Sequence, residues 1–364
     1  MRQSVKIFFI VLNVLFAVAL LLGKLTTLVS PTHWLAIAYF GLFFPLILIF
    51  NFGFIIFWLF CRKWRLLFIS LIPCFLCINN ICNTFPFHLI KPSVEANTTK
   101  IRVLTYNIDA FGQFAPSKPS RMDSLLAFVN RKNPDVMCFQ EFYVYNKGTK
   151  VSEKNIIKIL KKYPYHYIHY PMAEEVFSLG LAIFSKYPID YKGICSFSKG
   201  YYSTIYADIV VNKKTIRVFN HHMESNKFSS DERKHYEDLV GDFSAQQLHD
   251  VLMQFSTKMN EAYSVRAKQS DLVAKTISES PYPVIVCGDF NDVPVSYTYT
   301  TIKKNLIDTY ASVGTGYGNT YSHKLFPFRI DYIMVDPAFH PISSRVPHVK
   351  YSDHYPVIAE VALE

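Results

Sequence analysis

The first 94 residues contain no Asp and no Glu, and three long apolar runs lie within them. This combination restricts the chain more than any other feature. A helix needs about 20 predominantly apolar residues to cross a bilayer, and residues 7–22, 34–60 and 66–82 each approach or exceed that length. The first run could be a signal peptide, but no small-residue cleavage site follows it and further apolar runs do. Hydropathy therefore predicts a membrane anchor over residues 1–83 with about three transmembrane helices. Pro45 and Gly53 allow the second run to be a re-entrant pair, and Pro73 and Asn79 interrupt the third. Arg2 and Lys6 precede the first run, and Arg62, Lys63 and Arg65 separate the second from the third. An excess of basic residues marks the cytoplasmic side. The expectation is a multi-pass protein of the cell membrane, with everything after Cys82 on the extracytoplasmic side, periplasmic or extracellular.

Residues 84–100, with Pro86, Pro92, Ser93 and an Asn97-Thr98-Thr99 sequon, read as a linker to a domain over residues 101–364. The chain carries a net charge of +10, but seven of those charges sit in the acid-free first 94 residues. The remainder, about +3, makes a weak field for duplex DNA, so nucleic acid is admissible as a partner but not favoured. Seven dispersed cysteines do not form a disulfide framework.

Within the second domain, PVIVCGDFNDVP at residues 283–294 is the most informative stretch. Val284, Ile285 and Val286 read as a buried strand that ends at Gly288. Asp289 and Asn291 follow two residues apart, a spacing that projects both to one side of an extended chain. A carboxylate beside a carboxamide suits a hard metal ion, or a water and a phosphate. A simple turn would use the same residues. LTYNI (104–108), CFQEF (138–142), VFNHHMES (218–225), RIDYIM (329–334) and YSDHYPV (351–357) likewise combine apolar runs with polar residues of catalytic type. Glu141 stands among Cys138, Phe139 and Phe142, where a carboxylate needs a cation or a core Lys or Arg as partner. Asn212-Lys213 marks a hairpin turn, residues 264–278 read as a helix, and the polar segment 224–263 is long enough to be a lid or binding element.

Together and in this order, these stretches resemble the endonuclease/exonuclease/phosphatase superfamily from about residue 101 to the C-terminus. The resemblance implies an α/β fold, the DNase I-like four-layered sandwich of two packed mixed β-sheets flanked by helices, here preceded by transmembrane helices. It implies Mg²⁺ or Mn²⁺ held by Glu141, with Asn107 and Asp353 beside it. Asp289 or His354 would activate water, Asn291 would hold a phosphoryl oxygen, and Asp331 would orient His354. His222 would stabilise the phosphoryl oxygens, with His221 the adjacent alternative, because neighbours on a strand face opposite sides. Some members pair this histidine with a Glu, and residues 178–181 (Ser-Leu-Gly-Leu) offer none.

The function these features imply is a membrane-anchored, metal-dependent phosphoesterase that hydrolyses a phosphodiester or phosphomonoester with activated water. A lipid headgroup or small organic phosphate fits the tether better than nucleic acid. The alternatives are a nuclease and a non-catalytic membrane-linked binding module. No feature of the sequence selects an oligomeric state.

Overall fold

The computed structural model describes residues 3–88, 98–113, 121–197, 202–226, 245–323 and 327–363. Most of the expected linker, its sequon Asn97, and the central part of the 224–263 segment lie outside the described residues.

The N-terminal region is helical. Helix α1 (Gln3–Leu25) is long and apolar enough to cross a membrane. Over the second and third apolar runs the chain forms two bent pairs. α2 (Ala38–Leu42), reached through a short 3-10 turn, meets α3 (Phe44–Phe60) at 62°, and α4 (Trp64–Leu76) meets α5 (Ile78–Thr84) at 66°. Pro45 stands in the first turn of α3. It has no N–H to continue a helix arriving from Gly41, but it is preorganised to start one.

α1, α3 and α4 pack together around a polar thread. Asn13 donates to Ser70, Ser70 donates to Asn51 at 2.9 Å, and the Trp58 indole donates to Asn13 at 2.9 Å. The outer faces are apolar, with Phe60 85% and Phe75 75% exposed.

The second domain contains, among the described residues, two six-stranded sheets. One has the order β11–β12–β1–β2–β4–β3, formed by β1 (Thr99–Asn107), β2 (Val136–Tyr145), β3 (Tyr165–Ala173), β4 (Phe177–Ser185), β11 (Phe339–Arg345) and β12 (Val357–Leu363). The other has the order β5–β6–β7–β8–β10–β9, formed by β5 (Ile189–Ser196), β6 (Ser203–Val211), β7 (Lys214–His222), β8 (Val284–Asp289), β9 (Ile307–Asp308) and β10 (Asp331–Val335). Each sheet pairs its two central strands in parallel, β1 with β2 and β7 with β8, and the other pairings are antiparallel.

The apolar residues between the sheets, such as Ile101, Val103, Ile205, Val218, Ile285 and Val361, form one buried cluster. Helices α6 (Met122–Lys132) and α7 (Glu153–Ile159) cover the outer face of the first sheet. α8 (Ala245–Ser278) and α9 (Tyr297–Lys303) cover the second. α10 (Thr309–Val313) lies beyond β9. This is the expected sandwich of mixed sheets flanked by helices. The hairpin turn at Asn212 and Lys213 takes positive φ at both residues, as a two-residue hairpin requires. The helix expected over 264–278 is longer, reaching back to Ala245.

The two regions touch directly. Thr26 donates to the Val295 carbonyl at 3.0 Å, and the Tyr39 hydroxyl donates to Asn260 at 2.7 Å. A side chain at Gly41 would stand 2.0 Å from the Val295 oxygen, so only glycine lets α2 come this close.

Candidate active site

The site lies at one end of the sandwich, where three of the four central strands finish together. Asn107 ends β1, His222 ends β7 and Asp289 ends β8. The parallel register of β7 on β8 sets His222 opposite Asp289. Asp331 opens β10. The antiparallel pairing of β10 with β8 sets it opposite Asp289. His354 precedes β12 and is fixed by a bridge to Tyr321.

Glu141 is placed by a defect in the ladder. β2 continues to Tyr145, but its register with β4 shifts between Phe139 and Phe142, and Glu141 has φ 52°. Such a bulge re-aims a side chain. A polar clasp between the sheets holds it. Gln140 donates to Asn220 at 2.6 Å and to Thr105 at 3.0 Å, and Asn220 donates to the carbonyls of Phe139 and Ala182.

Asn291 reaches the site by a different route from strand alternation. The chain leaves β8 after Asp289 and turns through φ 52° at Asn291. The Asn291 backbone N–H then donates to Asp289 Oδ1 at 2.8 Å, and its side-chain amide donates to the Met223 carbonyl at 3.0 Å. Gly288 makes this turn feasible, with φ 144° and the His221 carbonyl 2.2 Å from where a Cβ would sit.

Asp289 stands at the centre. Asn107 donates from Nδ2 to Asp289 Oδ2 at 3.0 Å and to Glu141 Oε1 at 3.1 Å, drawing both carboxylates onto one amide. The Asn107 oxygen accepts from the Asp109 N–H. His222 Nε2 lies 3.7 Å from Glu141 and 3.9 Å from Asp289. His354 Nε2 lies 3.7 Å from Asp289, and its Nδ1 is 2.9 Å from Asp331 Oδ2. Thr320 Oγ1 accepts from the backbone N–H groups of Ile330 and Asp331, which fixes the start of β10. Asp353 lines the same cleft. His221 faces the other way, with Nδ1 2.7 Å from the Thr204 hydroxyl.

The charges fall into a pattern. Burial, followed by the charge of Asp353, pushes Glu141 up to about 7. Burial, followed by Asp331, pushes Asp289 up to about 7. Asp109, a residue the motifs did not single out, is also pushed to about 7 by burial and then by Asp353 and Glu141. Burial, and then the neighbouring His354, lowers His222 to about 3, so its imidazole is neutral. His354 is held well above the usual histidine range: burial alone would lower it, and the Asp331 and Asp289 carboxylates outweigh that. This crowd of carboxylate oxygens repels itself and suits a hard divalent cation. Asp289, Asp331 and His354 each offer a ligand atom within 4.8 Å of the others. His354 Nδ1 in this group is already bonded to Asp331.

The residues line a cleft of about 100 Å³. Arg266, fully buried on α8, reaches its edge, donates to Asn226 and the Glu224 carbonyl, and stands 3.6 Å from Asp292. Tyr321 and Tyr202, which lie against the rings of His354 and His222, carry no signal in the sequence.

A family model described as the endonuclease/exonuclease/phosphatase family matches residues 104–354. The chain belongs to this family. It is a metal-dependent hydrolase acting on ester bonds, as the family is. A second model, for a domain of unknown function, matches residues 5–84. No curated protein matches the chain. Among solved structures, an endonuclease/exonuclease/phosphatase from Bacteroides vulgatus is 18% identical. It covers 73% of this chain and 100% of its own, at a TM-score of 0.53. One from Beutenbergia cavernae is 19% identical over 72% of each chain, at 0.52. A family protein from Bacteroides thetaiotaomicron is 17% identical over 74% of this chain and 99% of its own, at 0.51. At these identities the likeness concerns the fold.

Proposed function

We propose that the chain is a membrane-anchored phosphoesterase that uses Mg²⁺ or Mn²⁺ to hydrolyse a phosphate ester with an activated water. The observation that carries this reading is the convergence of Glu141 and Asp289 on the Asn107 amide, beside a histidine charged by its own carboxylate. Glu141 and Asp353 would hold the cation, with Asn107 beside them. The cation, when bound, neutralises charge on the phosphoryl oxygens. Asp289 accepts the proton of the attacking water. His354, held as a cation by Asp331, and Asn291 stabilise the charge that develops on the phosphoryl group. Neutral His222 donates a hydrogen bond to the same oxygens.

The anchor reading rests on α1, on the polar thread that joins α1, α3 and α4, and on the apolar outer faces. With the N-terminus and the Arg62–Arg65 turn in the cytoplasm, either one span or three puts the catalytic domain on the extracytoplasmic side. A reporter active only in the cytoplasm, fused after Glu364, then stays silent. A bright signal there refutes the orientation.

The chemistry is tested by activity against metal concentration on a generic aryl phosphodiester. Glu141→Gln should raise the metal requirement and be partly rescued by excess Mg²⁺ or Mn²⁺. Asp289→Asn should lower kcat without rescue, and His222→Ala should lower kcat. Near-parental turnover in all three, or full activity in chelator, refutes the assignment.

A further inference from the structure

One wall of the cleft comes from outside the catalytic domain. Leu42, at the end of α2 in the N-terminal region, lines the same cavity as Glu141, His222 and His354. It is buried against Met259 and Tyr263 of α8 and against Val293, with Phe255 and Phe328 packed beside them. The cleft is thus two-sided. Carboxylates and imidazoles form one side, and aliphatic and aromatic side chains form the other.

The apolar wall continues into the candidate membrane segment. Immediately after Leu42, Phe43 and Leu46 are 44% and 51% exposed at the bend into α3. Docking of α2 is specific, since Gly41 contacts the Val295 backbone two residues from Val293 in the wall. Along the chain, the wall residue Leu42 adjoins exposed apolar residues of the kind that an apolar solvent would cover.

We propose that the substrate is a phosphodiester lipid taken from the bilayer to which the chain is anchored, with the start of its hydrocarbon chain lying against Leu42, Met259 and Phe255. This rests on the phosphoesterase reading above and adds the substrate class. A water-soluble phosphate ester would leave this wall wetted. A nucleic acid would require basic residues leading away from the site, where the wall instead offers Leu42, Met259 and Val293. Leu42 makes the anchor part of the substrate site rather than a tether alone.

The test uses the full-length protein in detergent micelles with Mg²⁺. The substrates are phosphodiester lipids of one headgroup and increasing acyl length, each below its own micellar concentration, together with an aryl phosphodiester and a single-stranded oligonucleotide. In the parent, kcat/KM should rise about fourfold for each methylene that the wall covers. Leu42→Asn and Phe255→Asn, on opposite sides of the wall, should each flatten that rise. A parent whose kcat/KM is independent of acyl length overturns the proposal, as does a rise that both variants retain. Faster turnover of the oligonucleotide than of any lipid also overturns it. Should either variant fail to fold, the parent series decides alone. If the parent cleaves the aryl phosphodiester but shows no dependence on acyl length, this inference falls and the phosphoesterase reading stands. If it cleaves no ester at all, the phosphoesterase reading itself falls.

Discussion

The helical region and the sandwich bury asparagine for opposite reasons. Asn51 in α3 is fully buried among helices whose outer faces carry exposed Phe, Leu and Trp. Asn220 in β7 is fully buried between two sheets lined by Ile, Val and Phe. In water, apolar side chains collapse inward, so the sandwich needs no polar adhesive. Asn220 there does a positioning task, gripping the β2 backbone beside the bulge that aims Glu141. In hydrocarbon, burial gives no preference for inside over outside, and hydrogen bonds between helices become a source of specificity. The thread of Asn13, Asn51, Ser70 and Trp58 fits that second regime. On the anchor reading proposed above, the two halves of one chain are built for two solvents.

The largest test of the contrast is catalytic. If polar burial in the sandwich serves chemistry and in the bundle serves packing, His354→Ala and Asp331→Asn should each reduce kcat by roughly 10²–10⁴. The double variant should lose little more than the worse single, because the two groups act as a unit. Asn51→Leu should reduce kcat far less. Additive losses for the pair, or a comparable loss for Asn51→Leu, would break the distinction.

The next effect is linkage to protons and metal, which the contrast confines to the sandwich, because the first 94 residues hold no carboxylate side chain. Glu141 and Asp289 sit at about 7 against ordinary values of 4.5 and 3.8. Their raised values favour the metal-free fold below the ordinary values, and that contribution is lost as pH rises through about 7. His221 and His222, held at about 3, act oppositely. Their contribution is present above 6.5 and is lost as pH falls through about 3. The gain in Tm on adding Mg²⁺ largely cancels the histidine terms, because they are present with and without the ion. That gain should be small at acid pH and grow above neutrality, where a hundredfold excess over Kd corresponds to about 2.7 kcal/mol of stabilisation. A gain that does not change with pH would place the ion away from these carboxylates.

Smaller still are the two asparagines compared directly. Asn220→Leu leaves Gln140 and two strand carbonyls short of a partner and should cost about 1–3 kcal/mol in a thermal melt. It should also raise the metal requirement, because the bulge loosens. Asn51→Leu should cost about 0.6–2 kcal/mol in micelles and leave the metal requirement alone. Equal costs, or a shifted metal requirement for Asn51→Leu, would mean that the two regions share one solvent regime.

The strands that were legible in the sequence are the central ones. Strands β1, β2, β4, β6, β7, β8, β10 and β12 are covered by other layers and read as short apolar runs. Edge strands β3, β5, β9 and β11 escaped sequence reading. β3 shows why: its residues are half-buried along most of its length, so it mixes His, Tyr and Pro with little alternation. Long helix α8 was only partly visible, because its N-terminal half is rich in polar residues.

What the sequence determined by itself was the kind of residue at each strand end and the split into an acid-free apolar region and a sandwich. Those follow from local composition and from spacing along one chain. Only the tertiary structure decided that Asp331 faces Asp289, since that depends on the antiparallel register of two strands some forty residues apart. It alone aimed Glu141, through a bulge gripped by Asn220 from the opposite sheet, and it alone brought Leu42 to the catalytic cleft. In each case the deciding interaction joins residues distant in sequence, and local preferences carry no record of such a pairing.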